Sequence, residues 1–496
     1  MFERCQNCIV QGQGHLTMEQ KRDQSEKKKR VYLLGICGTG MAALAGLLKE
    51  QGFWVGGSDS GCYPPMDGVL ESLGIEALKG YRPENVEAFR PDLVVIGNVI
   101  KRDNPEARFV IENQIPYMSF PEAMGHFFLS GKKPLVVAGT HGKTTTSTLL
   151  LSALEACGEM PGFMIGGVPV QKERGFGTGK GEWFVVEGDE YDSSFFQKVS
   201  KFLFYRPFSA IITSLEFDHA DIFASLEDIK ASFNKFASLL PKEGVLIACS
   251  DWKDVMDAAT HANCPVITYG TGDNAHWQIR SLKIDEETTT FKAKGPSGRT
   301  HKVSISLPGR HNALNALSVV ALCDALGLNM DGVLRGLREC KGVKRRQEVR
   351  GKVGDMVVID DFAHHPRAVR ETLEALRERF KTGRIVAIFE PRTNTSRRAV
   401  FQQPYVNSFG AADKIYVRQV PDPDKAPEGD RLSSERLVLD LKARGKEAIF
   451  CQDAGEIVER ITRDFAPGDV FIVLSNGPFE NIHQRLLEGL KKAAGK

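Results

Sequence analysis

No apolar run in the 496-residue chain approaches the ~18 residues that a membrane-spanning helix requires. The longest, such as LVVIG at 93–97, have the length of a buried strand. A dominant charge is missing too: 65 Lys and Arg against 63 Asp and Glu leave +2, so no whole-protein field draws in nucleic acid or an anionic membrane. The N-terminal thirty residues lack the apolar centre of a secretory signal and end in a basic run; they read as a disordered leader, 1–30. No short-period repeat and no low-complexity linker is present. Cys5 and Cys8 have no second pair nearby to complete a zinc site and read as loop residues. The other cysteines, several in apolar stretches (Cys37, Cys249, Cys323, Cys451), read as small buried hydrophobes in a reducing cytoplasm, not as disulfides.

What is present is ordinary globular composition, 42% hydrophobic and 26% charged, in a chain long enough for about three domains. Strand-like runs alternate with helix-period segments from residue 31 onward, which predicts α/β units with parallel sheets. Three blocks separate: 31–131, opening on VYLLGI; 132–345, opening on LVVAGT; and 346–496, opening on MVVIDD.

The strongest chemical signal is LVVAGTHGKTTT at 135–146. A buried strand ends at Gly139, a turn holds Thr140, His141 and Gly142, and Lys143, Thr144 and Thr145 open a helix pattern. Backbone N–H groups at such a helix start face a phosphate, a lysine ammonium meets its outer oxygens, and the first threonine hydroxyl can ligate Mg2+. With two residues between the glycines, this is a shorter variant of the common nucleotide loop. FVVEGDEYDSSF and ITSLEFDHADIF place Glu187 and His219 at further strand ends, where they could hold a magnesium ion beside the phosphates. Asp189, Glu190 and Asp192 fit either that site or solvated loop acids. Near the start, GICGTGMAALA offers Gly38, Thr39, Gly40 and Met41 after a strand, with Asp59 about twenty residues on. Such a turn binds any pyrophosphate, of NAD or of a UDP-sugar; beside an ATP loop the UDP-sugar is the more economical reading. DNPE at 103–106 reads as a helix start.

Taken together, GICGTGM, GTHGKTTT, VVEGDEYD, EFDHAD, GRHNALNALSV, VKRRQEV and DDFAHHP, in this order from 31 to 496, resemble the Mur ligase family. The resemblance implies a three-domain architecture: a Rossmann-like UDP-binding domain, a central P-loop ATPase-like domain and a C-terminal Rossmann-like domain. It implies that Lys143 and Thr144 hold ATP phosphates and Mg2+, that Glu187 and His219 bind a second metal, that Asn312 and Asn315 lie at the nucleotide, and that Arg346 and Asp361 close over it. Several members of the family carry a carbamylated lysine shortly after the EFDHAD-like motif, where this chain has Phe233; the branch that uses UDP-N-acetylmuramate directly is similar in lacking it.

Within that branch one member adds L-alanine and another adds the recovered tripeptide L-alanyl-γ-D-glutamyl-meso-diaminopimelate. Tyr191 in GDEYDSSFF, YPPM at 63–66, EPRTNT at 390–395 and SNGPFENIH at 475–483 are similar to the tripeptide-adding member, and Arg392, Asn394, Asn476 and His483 become peptide-binding candidates, with ordinary loop structure as the alternative. A guanidinium fork suits a carboxylate. The implied setting is cytoplasmic cell-wall recycling, with a third domain drawn in by ATP and the sugar nucleotide. An NAD oxidoreductase and an inactive UDP-sugar sensor are the readings from other classes.

Overall fold

The computed structural model describes residues 29–63, 66–217, 223, 225–394 and 396–495, and the chain divides into two compact units after Met118. The first carries a five-stranded sheet in the order β3-β2-β1-β4-β5: β1 (Arg30–Leu34), β2 (Trp54–Asp59), β3 (Ala77–Lys79), β4 (Leu93–Ile96) and β5 (Tyr117–Ser119). β1 runs parallel to both β2 and β4 and is almost wholly buried, which its RVYLL run predicts. Helix α1 (Thr39–Glu50) follows β1. DNPE does start a helix, Pro105–Glu112: the Asn104 side chain accepts the N–H groups of Glu106 and Ala107, and proline sits in its first turn.

The second unit holds two large sheets. One has ten strands among the described residues, in the order β17-β16-β15-β14-β13-β12-β6-β9-β7-β8. They are β6 (Lys133–Ala138), β7 (Gly162–Met164), β8 (Phe176–Gly177), β9 (Trp183–Gly188), β12 (Ser209–Ile212), β13 (Leu246–Cys249), β14 (Val266–Gly270), β15 (Trp277–Ile284), β16 (Thr289–Lys294) and β17 (Thr300–Ile305); β10 (Asp192–Ser194) and β11 (Gln197–Ser200) form a separate ribbon. β6 lies between β12 and β9, parallel to both, so the segments leaving their carboxyl ends are neighbours. Helices α2 (Lys143–Ala156) and α3 (Arg310–Ala325) cover this sheet. Their Leu149, Leu150, Leu317 and Val320 are fully buried with Leu135, Val137 and Ile211, each such side chain contributing about 1.5–3 kcal/mol.

The other sheet has the order β18-β19-β23-β20-β21-β22: β18 (Glu348–Val353), β19 (Met356–Asp361), β20 (Ile385–Phe389), β21 (Lys414–Arg418), β22 (Glu447–Cys451) and β23 (Val470–Leu474). All pairs but β18 with β19 are parallel. β23 lies between β19 and β20, so the segments after Asp361, Phe389 and Leu474 meet at one edge. Helix α4 (Pro366–Arg379) follows β19 and α5 (Ile482–Ala494) follows β23.

One expectation fails. Cys37 and Cys62 form a disulfide, their Cα atoms 5.3 Å apart. They follow β1 and β2, whose parallel register sets Leu34 beside Ser58 and so brings the two loops together. Cys249, Cys323 and Cys451 are free and buried, as expected. The leader with Cys5 and Cys8 lies outside the described residues, except for its last two, Lys29 and Arg30. No helix among the described residues is long and apolar enough to cross a membrane.

Candidate active site

The glycine loop between β6 and α2 is shaped by two backbone conformations that disfavour any side chain. Gly139 has φ +134°, and a Cβ there would lie 2.2 Å from Thr213 Oγ1; Gly142 has φ +85°, with Asn315 Oδ1 2.8 Å from its Cβ position. The Thr140 N–H donates to the Ser214 carbonyl (3.1 Å) and the His141 N–H to Ser214 Oγ (2.9 Å), pinning the loop to the segment after β12. α2 then starts with no side-chain cap and no acidic residue in its first turn, where Thr145 sits half-buried, so its positive end is left for an anion. Gly139→Ala is expected to cost about 1–3 kcal/mol and to lower turnover at least tenfold, read by thermal melting and phosphate release.

Lys143 Nζ donates to the Gly139 carbonyl (2.7 Å) and to Glu190 (2.9 Å). Burial pulls this ammonium's pKa down, but the Glu190 and Asp189 carboxylates outweigh it and hold the group charged. Glu190 is 2% exposed and so is not a solvated loop acid; Asp189 pairs with Lys201 at 4.0 Å. Glu187, next to the carboxyl end of β9, accepts the Thr144 hydroxyl (3.1 Å) at one oxygen and the Gly166 N–H (2.7 Å) at the other. Burial pushes its carboxyl up to about 7, Asp189 adds to the shift, and Lys143 opposes it. A buried hydroxyl and a buried carboxylate starved of positive charge are a hard-oxygen donor set, which fits Mg2+. His219 lies outside the described residues.

Asn312 and Asn315 project from the first turns of α3. Asn312 donates to the Pro308 carbonyl (2.7 Å), and Asn315 packs against Gly142. Arg346 lies over the Phe362 ring (4.9 Å), while Asp361 is buried and accepts the N–H groups of Gln347 (2.8 Å) and Ala363 (2.7 Å), bracing the joint between the two sheets. The neighbouring Arg345 escaped the sequence reading. It donates to the carbonyls of Ser475 (2.7 Å) and Gly477 (2.8 Å) and to Asp360 (3.2 Å), fixing the segment after β23. Only the doubled arginine of VKRRQEV hinted at it.

Of the four peptide-binding candidates, two come together. The Arg392 guanidinium lies on Gly477, Nη1 1.9 Å from where a Cβ would stand, and makes no hydrogen bond among the described residues; the adjacent Asn476 Oδ1 is buried without a hydrogen-bond partner there. His483 instead pairs with Asp360 (3.1 Å), tying α5 to β19, and together with Arg345 it holds that carboxyl below its usual range although burial pushes the other way. Asn394 is exposed on the segment after β20. Phe233 is fully buried against Phe202, 5.3 Å between ring centres.

In the first unit, Gly38 caps α1 by its backbone alone; Thr39 and Gly40 form the open first turn, and Met41 is buried. Asp59 Oδ2 accepts the Cys37 N–H (3.0 Å) and so braces the glycine loop itself.

Three segments match one family: residues 30–131 its "Mur ligase family, catalytic domain", 137–323 its "Mur ligase middle domain" and 345–477 its "Mur ligase, glutamate ligase domain". The chain is 39% identical over 469 residues to the UDP-N-acetylmuramate–L-alanyl-γ-D-glutamyl-meso-2,6-diaminoheptandioate ligase of Escherichia coli, covering 94% of this chain and 99% of the relative. It is 33% identical, with the same coverage, to the UDP-N-acetylmuramate–L-alanine ligase of Caldanaerobacter subterraneus. Among solved structures, a murein peptide ligase from Psychrobacter arcticus matches with TM-score 0.70 and 32% identity, covering 93% of this chain and 99% of that one. A UDP-N-acetylmuramate–alanine ligase from Thermotoga maritima matches with TM-score 0.78 and 25% identity, covering 94% and 100%. The chain belongs to the Mur ligase family of ATP-dependent, amide-bond-forming enzymes.

Proposed function

We propose that this protein joins UDP-N-acetylmuramate to the tripeptide L-alanyl-γ-D-glutamyl-meso-diaminopimelate with ATP, in the cytoplasm, as a step of peptidoglycan recycling. The observation that carries the reading is the 39% identity over nearly full length to the E. coli tripeptide ligase, against 33% to an alanine ligase. The alternative, addition of L-alanine alone, draws on the higher TM-score of the Thermotoga structure.

A carboxylate is a poor electrophile with no good leaving group. The lactyl carboxylate oxygen attacks the γ-phosphorus, the bond to the β-phosphate oxygen breaks, and ADP leaves. The peptide's α-amine then adds to the acyl phosphate carbonyl, loses a proton, and the tetrahedral intermediate expels inorganic phosphate. The chain's work is positioning and charge neutralisation. The loop N–H groups and Lys143 receive the phosphates, with Asn312, Asn315, Arg346 and Asp361 around the nucleotide. Thr144, Glu187 and His219 would hold Mg2+, which when bound supplies positive charge to the phosphate oxygens. Gly38, Thr39, Gly40, Met41 and Asp59 are assigned to the UDP-sugar. Arg392 and Asn476, an unsatisfied fork beside a buried amide oxygen, suit a peptide carboxylate and N–H.

With substrate 18O-labelled in the lactyl carboxylate, one label is expected in the released phosphate; unlabelled phosphate would overturn the acyl-phosphate route. Arg392→Ala is expected to raise the tripeptide KM at least tenfold while the ATP KM moves less than threefold, as loss of one charged pair would. Equal shifts in both would remove Arg392 from the peptide site.

A further inference from the structure

Three side chains that the mechanism above does not use meet where the two large sheets adjoin. His141 points from the glycine loop to Glu216, which follows β12, and its Nε2 is in contact with Glu216 Oε1. His365, the residue preceding α4, brings Nδ1 to 3.5 Å from the same oxygen, and the two imidazole rings lie 5.0 Å apart. One donor atom from each residue falls within 4.8 Å of the others. The side chains are 18%, 22% and 9% exposed, so the cluster is sheltered and still reachable.

We propose that His141, Glu216 and His365 form a binding site for a divalent transition metal of the zinc class, separate from the magnesium site at Thr144 and Glu187. Two imidazole nitrogens and one carboxylate oxygen are a borderline donor set; it suits Zn2+, Co2+ or Ni2+ and leaves a position open, whereas Mg2+ prefers oxygen alone. Three segments distant in sequence supply the ligands, so packing between the sheets, not a local turn, has assembled them. The carboxylate is ionised: burial pushes Glu216 up, but the two histidines and Arg367 together hold it below its usual range. The Arg367 N–H donates to His365 Nδ1 (3.4 Å), a long cap bond that ligation would replace, while its side chain keeps off the donor atoms. Its guanidinium stacks 3.9 Å over Trp252 and stands 3.7 Å from the second Glu216 oxygen, which leaves Oε1 to the histidines. An ion here fastens the His365 segment to the glycine loop and so links the two sheets at the nucleotide site.

The test uses the full chain, freed of metal, titrated with Co2+ in excess Mg2+ and followed by visible absorption, with Zn2+ competition. One Co2+ per chain with d–d bands is expected, unchanged in Glu187→Gln and displaced by Zn2+. His365→Gln and Glu216→Gln are expected to weaken it by about 100-fold or more. No Co2+ bands in the wild-type chain, or affinity within threefold of wild type in both variants, would overturn the site. X-ray absorption of the wild-type Zn2+ complex covers variants that fail to fold: two imidazoles and a carboxylate are expected, and a shell without histidine would overturn it. These readouts need no substrate, so they stand or fall apart from the ligase assignment.

Discussion

Lys143→Ala is expected to lower kcat by about a thousandfold, read as phosphate release under saturating ATP and both co-substrates. Lys143 is the ammonium that the glycine loop carries at its mouth, 2.7 Å from the Gly139 carbonyl and flanked by Glu190 at 2.9 Å. Negative charge moves across the γ-phosphoryl group as the lactyl oxygen attacks, and no other cation is anchored in that loop. The substitution also removes the Lys143 ion pair from Glu190, which is 2% exposed, so stability should fall by roughly 3 kcal/mol. The two losses are separable. Lys143→Ala with Glu190→Gln should recover most of the melting temperature and none of the turnover, whereas near-normal turnover in the single variant would remove Lys143 from the chemistry.

Glu187→Gln should lower kcat by at least about a hundredfold, because it replaces a buried anionic oxygen beside Thr144 with a neutral amide that holds Mg2+ poorly. Its second signature is in stability. With a carboxyl at about 7 in the folded chain and near 4.5 when unfolded, the folded state holds one extra proton between those values. Stability of the metal-free protein should therefore fall as pH rises from about 4.5 to 7, by up to about 1.4 kcal/mol per pH unit, and level off above. The Glu187 share of that slope should be missing in Glu187→Gln and flatten when Mg2+ and ATP are bound, while the raised Glu106 and Asp361 carboxyls act alike in both proteins. A slope as steep in the variant as in the wild type would assign it to another group.

The sheets were legible because buried parallel strands write themselves as short apolar runs closed by glycine or an acid, as in LVVAGT and FVVEGD. The glycine loop was legible for the same reason: strand, turn and helix start are contiguous, so Gly139 to Thr145 report one local structure. What escaped depends on lateral order within the sheets. Glu190 as the partner of Lys143 requires β9 to lie beside β6. The Cys37–Cys62 bond requires the register of β1 on β2, and His141, Glu216 and His365 meet only because two sheets adjoin. His483 looked free for a ligand because nothing in its own segment shows Asp360, which stands on β19. Arg392 and Asn476 belong to separate motifs, and the adjacency of β20 and β23 sets Arg392 on Gly477 beside Asn476.

The identity of the amine substrate is tested most directly by phosphate release from ATP and Mg2+ with UDP-N-acetylmuramate, adding the tripeptide to one reaction and L-alanine to another, with product masses checked. Turnover with the tripeptide, at a kcat/KM at least about 100-fold above that for L-alanine, is the predicted result. Turnover with L-alanine and none with the tripeptide would contradict it and move the enzyme to the first amino-acid addition of cell-wall synthesis.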